Sequence, residues 1–218
     1  MAIAGERHIT TSADGSTTIW VPGLDEHYHS IHGALTESNH VFIDAGLKAL
    51  NCNPIAILEV GLGTALNARL TGDYCRTNGI RARYDALEKF PLKAEEIDQL
   101  AAAGMSKEVP YLSAVPGQTT EINSGFDFTL LVEDLRDFHS EENTYDLIYF
   151  DAFAPSAQPE LWSEEVFENM YRILKPGGVL TTYCAKGSVK RAMKAAGFEI
   201  EALPGPPRKR EMTRAWKR

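Results

Sequence analysis

The chain reads as an α/β fold built on a mostly parallel, doubly wound sheet, closed by an antiparallel C-terminal strand. Three observations predict it. Apolar, β-prone runs alternate with segments of helical period through residues 55–200, the rhythm of successive parallel strands and crossover helices. The run Ile55-Ala56-Ile57-Leu58-Glu59-Val60 is apolar on both alternating faces, as a strand buried on both sides must be. Gly61-Leu62-Gly63 follows directly and opens a helix.

Residues 7–21 read as a hairpin, with turn residues at Thr11–Ser16 and a β-prone run from Thr17 to Val21 that Pro22-Gly23 breaks. Leu24 to Gly33 carries His27, His29 and His32. His27 and His29 with Asp25 and Glu26 have metal-ligand chemistry, but no Cys or downstream carboxylate cluster completes a set, so a polar pocket wall is the expected role. Ala34 to Leu50 has the helical spacing of Val41, Phe42, Ala45, Leu47 and Leu50, with Thr36 or Ser38 as the cap.

The glycine turn ends the first core strand. Its glycines allow a ligand to approach the backbone, and the helix over 65–79 points its N-terminal amides there. That is a nucleotide-like cradle; an ordinary strand-to-helix turn has the same pattern. Leu66 stands where the third glycine of a dinucleotide fingerprint would fall. The second strand, Ile80–Leu87, ends at Glu88, placed either to bond a ribose hydroxyl pair or simply to face water. Leu92–Ala103 is helical, within a long crossover near 91–125 expected to lie over the sheet edge or the cofactor. The third strand, Phe126–Val132, ends at Glu133-Asp134, and the fourth, Tyr145–Phe150, at Asp151. A helix over 162–174, capped by Ser163 or a nearby residue, follows. Lys175-Pro176-Gly177-Gly178 turns into the fifth strand, Val179–Cys184. A helix over 188–196 and two late strands, Phe198–Ala202 and Lys209–Ala215, complete the chain. No repeat or linker divides it, so one domain over 1–218 is expected, with residues 1–50 an extension on a core over 51–218.

Composition bounds the function. At 218 residues, 44% hydrophobic and 24% charged, the chain has ordinary globular composition. No apolar run is long enough to span a membrane, and Met1–His8 lacks the pattern of a secretory signal. The scattered Cys52, Cys75 and Cys184 argue against a disulfide framework or zinc site and for a reducing cytoplasm; Cys184 reads as a small buried hydrophobe. The net charge of −8 is unevenly spread: residues 186–218 carry +7 and residues 1–185 carry −15. Such asymmetry fits either a basic patch for a phosphate backbone or a solvated tail with one amphipathic helix.

The specific signal is the order of several segments. Asp25-Glu26-His27-Tyr28-His29-Ser30, Gly33-Ala34-Leu35-Thr36-Glu37-Ser38, Glu59-Val60-Gly61-Leu62-Gly63-Thr64-Ala65-Leu66-Asn67, Glu88-Lys89-Phe90-Pro91-Leu92, Asp151-Ala152-Phe153-Ala154-Pro155, Lys175-Pro176-Gly177-Gly178 and Lys209-Arg210-Glu211-Met212 together resemble the methyltransferase domain of the bacterial MnmC family. Ala65 and Ala152 replace glycines usual in that family. The resemblance implies a class I, Rossmann-like fold and S-adenosylmethionine as cofactor. It implies methylation of the aminomethyl nitrogen of a wobble 5-aminomethyl-2-thiouridine in tRNA, giving 5-methylaminomethyl-2-thiouridine. The alternative is an N-methyltransferase of a small amine or protein. The family's bifunctional members carry a flavin-dependent oxidoreductase half; this length implies the stand-alone form, with the substrate supplied by a separate oxidoreductase or by upstream uridine-modifying enzymes. By position, Asp151 and Phe153 are the catalytic candidates. Tyr28, Ser30, Glu37, Glu59, Gly61, Gly63, Asn67, Glu88, Glu133, Asp134 and Asp151 are the cofactor-binding candidates. Lys186, Lys190, Arg191, Lys209 and Arg210 are the candidates for tRNA phosphate contacts.

Overall fold

The structure, a computed structural model, describes residues 6–218; the reading of Met1–Gly5 as free of a secretory signal lies outside them. Its frame is an eight-stranded sheet. In chain order the strands of the molecule are β1 (His8–Thr11), β2 (Thr17–Val21), β3 (Glu26–His27), β4 (Ile55–Val60), β5 (Ala82–Leu87), β6 (Thr119–Asn123), β7 (Phe126–Leu131), β8 (Tyr145–Phe150), β9 (Leu174–Thr182), β10 (Glu199–Pro204) and β11 (Glu211–Trp216). The helices are α1 (Ala34–Ser38), α2 (Leu66–Asn78), α3 (Ala94–Ala102), α4 (Val109–Leu112), α5 (Glu164–Ile173) and α6 (Gly187–Ala195). The large sheet runs β10-β11-β9-β8-β4-β5-β7-β6, and β1-β2-β3 form a small antiparallel sheet.

Strands β7, β5, β4, β8 and β9 are parallel; β6 at one end and β11 near the other run antiparallel to them, and β10, antiparallel to β11, returns to their direction at the far edge. From β4 the chain winds outward to β5 and β7, then returns to β8 on the other side of β4. The order reverses between β4 and β8, and a crevice opens at the carboxyl ends of these strands, where doubly wound sheets bind ligands.

Side-chain alternation divides the core between the two faces. Ile55 and Ile57 of β4, with Tyr84, Phe128 and Tyr149, pack beneath α2, α3 and α4. Leu58 and Val60, with Ile148 and Phe150, pack against α5 and α6 through Phe167, Met170, Val189 and Met193. The crossover over 91–125 lies on the first face at the sheet edge, where Tyr111 meets the rings of Phe126 and Phe128 at 6.2 and 5.2 Å.

Three local expectations are corrected. The helix over 34–50 is broken: α1 continues as a π-helical turn over Asn39–Asp44, and after Ala45-Gly46 a 3-10 turn spans Leu47–Ala49. The break lets the backbone at Gly46 rest on the sheet, where an added Cβ would stand 2.5 Å from the Phe42 carbonyl oxygen and 3.1 Å from the Tyr149 ring. Neither Thr36 nor Ser38 caps α1. The first residue outside it is Gly33, and Asp14 of the β1–β2 turn accepts from the Thr36 amide at 3.4 Å. The crossover over 91–125 also contains a strand that the sequence does not predict, β6; its Thr119, Thr120 and Glu121 are exposed, as suits the polar edge of a sheet. Ser163 does cap α5, accepting from the Val166 amide at 3.4 Å.

Candidate active site

The crevice at the switch point contains a cavity of about 370 Å³. Its floor is the glycine turn. Gly61 sits at φ +89°, where an added Cβ would lie 2.7 Å from the Asp151 carbonyl oxygen; Gly63 sits at φ +54°, with the Tyr28 ring 3.2 Å from its would-be Cβ. Two strand ends and an aromatic ring thus converge on bare backbone, and only glycine leaves room there. Ala65, at φ 62°, occupies the left-handed region without that freedom.

Asp151 follows β8 and is the centre of the site. Its amide donates to the Val60 carbonyl at 2.9 Å, which locks it beside the glycine turn. Asn67, in the first turn of α2, donates through Nδ2 to Asp151 Oδ2 at 2.8 Å and to Glu59 Oε1 at 2.9 Å. Burial pushes the Asp151 carboxyl up to about 7; the Asn67 hydrogen bond opposes this, the Glu37 charge adds to it and the Lys209 charge opposes it. The carboxyl is therefore balanced between its acid and base forms near neutral pH.

Glu59 is fully buried and lies outside the cavity lining. It shares the face of Ile57 and Tyr84, beneath α2, so strand alternation turns it away from the crevice. Burial raises its carboxyl well above the usual range, and the Asn67 hydrogen bond opposes that rise. Its place is behind Asn67, and Asn67 in turn stands behind Asp151.

The other candidates divide in the same way. Tyr28, Ser30, Glu37, Gly61, Gly63, Glu88, Glu133, Asp134 and Phe153 all line the cavity. Phe153 meets Tyr28 edge-on at 5.4 Å. Glu88 accepts from the Gly63 amide at 3.2 Å and the Phe90 amide at 2.9 Å, tying the glycine turn to the end of β5. Asp134 is held by Lys89 and Arg136, each at 2.6 Å, and these cations keep its carboxyl well below the usual range. Lys209 is drawn into the cavity wall: its ammonium is 2.6 Å from Glu37 Oε2 and 4.5 Å from the centre of the Tyr183 ring. Lys186, Arg191 and Arg210 stay exposed outside the cavity, and Lys190 pairs with Glu211 at 2.9 Å.

The sequence does not mark Tyr183 as ligand-facing, whereas His29 has the place in a polar pocket wall that the sequence predicts. Tyr183, just past β9, donates to the Ala152 carbonyl at 2.8 Å and fixes the Asp151–Phe153 segment; its place at a strand's carboxyl end was a usable signal. His29 is buried, with Nε2 2.8 Å from Thr64 Oγ1, and burial lowers its imidazole to about 4. It props the glycine turn as a neutral ring. The other histidines part company: His27 lines the cavity beside Trp20, while His32 meets Arg208 at 3.0 Å.

The walls suit a ligand bearing an ammonium group and hydroxyls, because Glu37, Glu88 and Asp151 supply acceptors around bare glycine backbone. A parallel sheet with a Glu-x-Gly-x-Gly turn and this acidic crevice defines the class of S-adenosylmethionine-dependent methyltransferases. A family model described as S-adenosyl-L-methionine-dependent methyltransferase matches residues 96–218, and the chain belongs to that family, whose cofactor is S-adenosylmethionine.

Particular relatives sharpen the comparison. The chain is 33% identical over 207 residues to the tRNA 5-methylaminomethyl-2-thiouridine biosynthesis bifunctional protein MnmC of Leptospira borgpetersenii, covering 87% of this chain and 32% of that protein. It is 33% identical over 220 residues to the MnmC of Cupriavidus metallidurans, covering 93% of this chain and 32% of that one. It thus spans about a third of the length of these curated relatives. Among solved structures it resembles MNMC2 from Aquifex aeolicus, with TM-score 0.80 and 25% identity over 98% of this chain and 71% of that one.

Proposed function

We propose that this methyltransferase acts on tRNA, methylating the aminomethyl nitrogen of a wobble 5-aminomethyl-2-thiouridine. The observation that carries the reading is the place of Asp151, a carboxylate on the cavity wall fixed beside the glycine turn by its amide hydrogen bond to Val60 and by Asn67. The names of the MnmC relatives supply the substrate class.

S-adenosylmethionine, when bound, supplies a methyl group already activated by its sulfonium. The glycine turn, Glu37 and Glu88 would hold it. The protein's task is then to orient and deprotonate an amine. In its ionised form Asp151 accepts a hydrogen bond from the substrate nitrogen, directs the lone pair and takes up the proton released as the new N–C bond forms. A carboxylate also favours the ammonium form of an amine, so its main contributions are orientation and proton acceptance. Tyr28 and Phe153 give an aromatic wall for a cation or base. The exposed Lys186, Arg191 and Arg210, with Lys190, are the proposed phosphate contacts, and Lys209 acts at the cavity rim. The reaction would take place where tRNA is modified, in the cytoplasm. Among the described residues no helix is long and apolar enough to cross a membrane.

The test is Asp151→Asn. It is expected to retain S-adenosylmethionine binding through the glycine turn, Glu37 and Glu88, weakened by no more than about tenfold, and to lose at least about a hundredfold in turnover on tRNA at saturating cofactor, the lower range for removal of a general base. Turnover equal to the parent would remove Asp151 from this role. Equal methylation of simple primary amines and of tRNA would favour a small-amine enzyme instead.

A further inference from the structure

We propose that the outer face of the β1-β2-β3 sheet is a stacking platform for the unpaired bases that flank the target nucleotide. The inference rests on the RNA substrate proposed above and adds a second contact surface to it. The register pairs His8 with Trp20 and Trp20 with His27, so three rings from three strands form one row. Their centroids are 5.6 and 6.4 Å apart and their planes are inclined by only 30° and 27°. The row runs into the site: His27, at its end, lines the cavity.

The opposite face of the hairpin is committed to the core through Ile19 and Val21, both 1% exposed. Trp20 is left partly exposed on the outer face, beside exposed His8. The indole hydrogen bonds also set it apart. Trp162 donates to the Phe153 carbonyl at 2.8 Å and Trp216 donates to Glu201 at 3.1 Å, whereas Trp20 has no acceptor among the described residues. A partly exposed row of near-parallel rings whose central tryptophan has a spare donor, continuous with the cavity, matches the chemistry of single-stranded nucleic acid, in which every base offers a π-face and every phosphate an acceptor. A nucleoside drawn into the cavity leaves its neighbours unstacked at the rim, and the row offers them new partners. The row itself contains no Lys or Arg, so its contribution comes from stacking and resists salt, unlike phosphate contacts.

The experiment measures binding of a synthetic anticodon stem-loop RNA carrying 5-aminomethyl-2-thiouridine, at low and high salt, to the parent, Trp20→Ala and Trp20→Phe. S-adenosylmethionine binding serves as the check of folding. Trp20→Ala is expected to weaken stem-loop binding roughly 5- to 100-fold, the range for loss of one or more base stacks, with the factor preserved at high salt. Trp20→Phe, which keeps a ring, is expected to stay within about fivefold of the parent. The stem-loop should quench tryptophan emission in the parent and lose that quench in Trp20→Phe, a readout that does not depend on the alanine variant folding. Unchanged affinity in Trp20→Ala, or a quench retained in Trp20→Phe, overturns the platform while leaving the RNA substrate standing. No binding of the stem-loop by the parent overturns the RNA reading and the platform with it.

Discussion

Asn67→Ala isolates the link between the buried carboxyls and the proposed chemistry. Asn67 Nδ2 reaches Asp151 at 2.8 Å and Glu59 at 2.9 Å, and its hydrogen bond holds the Asp151 carboxyl down against burial. A hydrogen bond to a charged group is worth about 1.5–3 kcal/mol, and about 1.4 kcal/mol moves a pKa by one unit, so its loss should raise Asp151 by about 1–2 units. The acid limb of kcat/KM for tRNA methylation should then move from about 7 in the parent to about 8–9 in the variant. At pH 7 the ionised fraction falls from near half to between roughly a tenth and a hundredth, so kcat/KM should drop about 5- to 50-fold. Near pH 9.5 the two proteins should agree to within about threefold. The assay is a pH series of initial rates, run well below the melting temperature because the variant also strands buried Glu59, at a cost of about 1–3 kcal/mol. A packing defect alone would lower the rate by one factor at every pH. An acid limb that stays in place would refute the proposed coupling of Asn67 to Asp151.

Three further predictions concern the cradle. Gly61→Ala combines a φ of +89° with a Cβ 2.7 Å from the Asp151 carbonyl oxygen; S-adenosylmethionine affinity by calorimetry should fall at least about tenfold, and unchanged affinity would show that the turn has slack. Ala65→Gly relieves about 1–2 kcal/mol of left-handed strain but removes a buried methyl worth about 0.8, so a small gain of up to about 1 kcal/mol, or a few degrees in melting temperature, is expected; a loss would show that the methyl packing dominates. His29, lowered to about 4 in the folded chain from an ordinary 6.5, binds its proton more readily when unfolded. Its contribution to stability is therefore complete above pH 6.5 and is lost as the pH falls toward 4, by up to about 3 kcal/mol. His29→Gln should flatten that part of the urea-unfolding profile between pH 7 and 4.5; an unaltered slope would place the acid sensitivity elsewhere.

Much of this architecture is legible in the sequence because parallel strands buried on both faces leave unbroken apolar runs. The starts and ends of β4 and β8 and the start of β7 follow from such runs, and the strand-end rule brings Gly61, Glu88 and Asp151 to one crevice. The break at Gly46 is hidden in the sequence, because the apolar spacing on either side of it keeps helical period while the approach of the Phe42 carbonyl that requires glycine follows from a π-helical turn no residue pattern announces. Strand β6 was hidden because an exposed edge strand has no apolar signature. Glu59 shows a finer failure. Its place in the Glu-x-Gly-x-Gly signature suggested contact with the cofactor, yet alternation along Ile55, Ile57 and Glu59 already set it on the α2 face. Lys209 could be read as a phosphate contact from charge alone; its capture by Glu37 and Tyr183 depends on packing between the N-terminal extension and the last strands, which no local pattern records.

The most direct test of the central claim is mass analysis of nucleosides from tRNA bearing 5-aminomethyl-2-thiouridine at the wobble position, after incubation with the protein and S-adenosylmethionine. The account predicts that this nucleoside alone gains the mass of one methyl group, and that Asp151→Asn leaves it unmodified. A wobble nucleoside unchanged by the parent protein, in a preparation that binds S-adenosylmethionine, would contradict it.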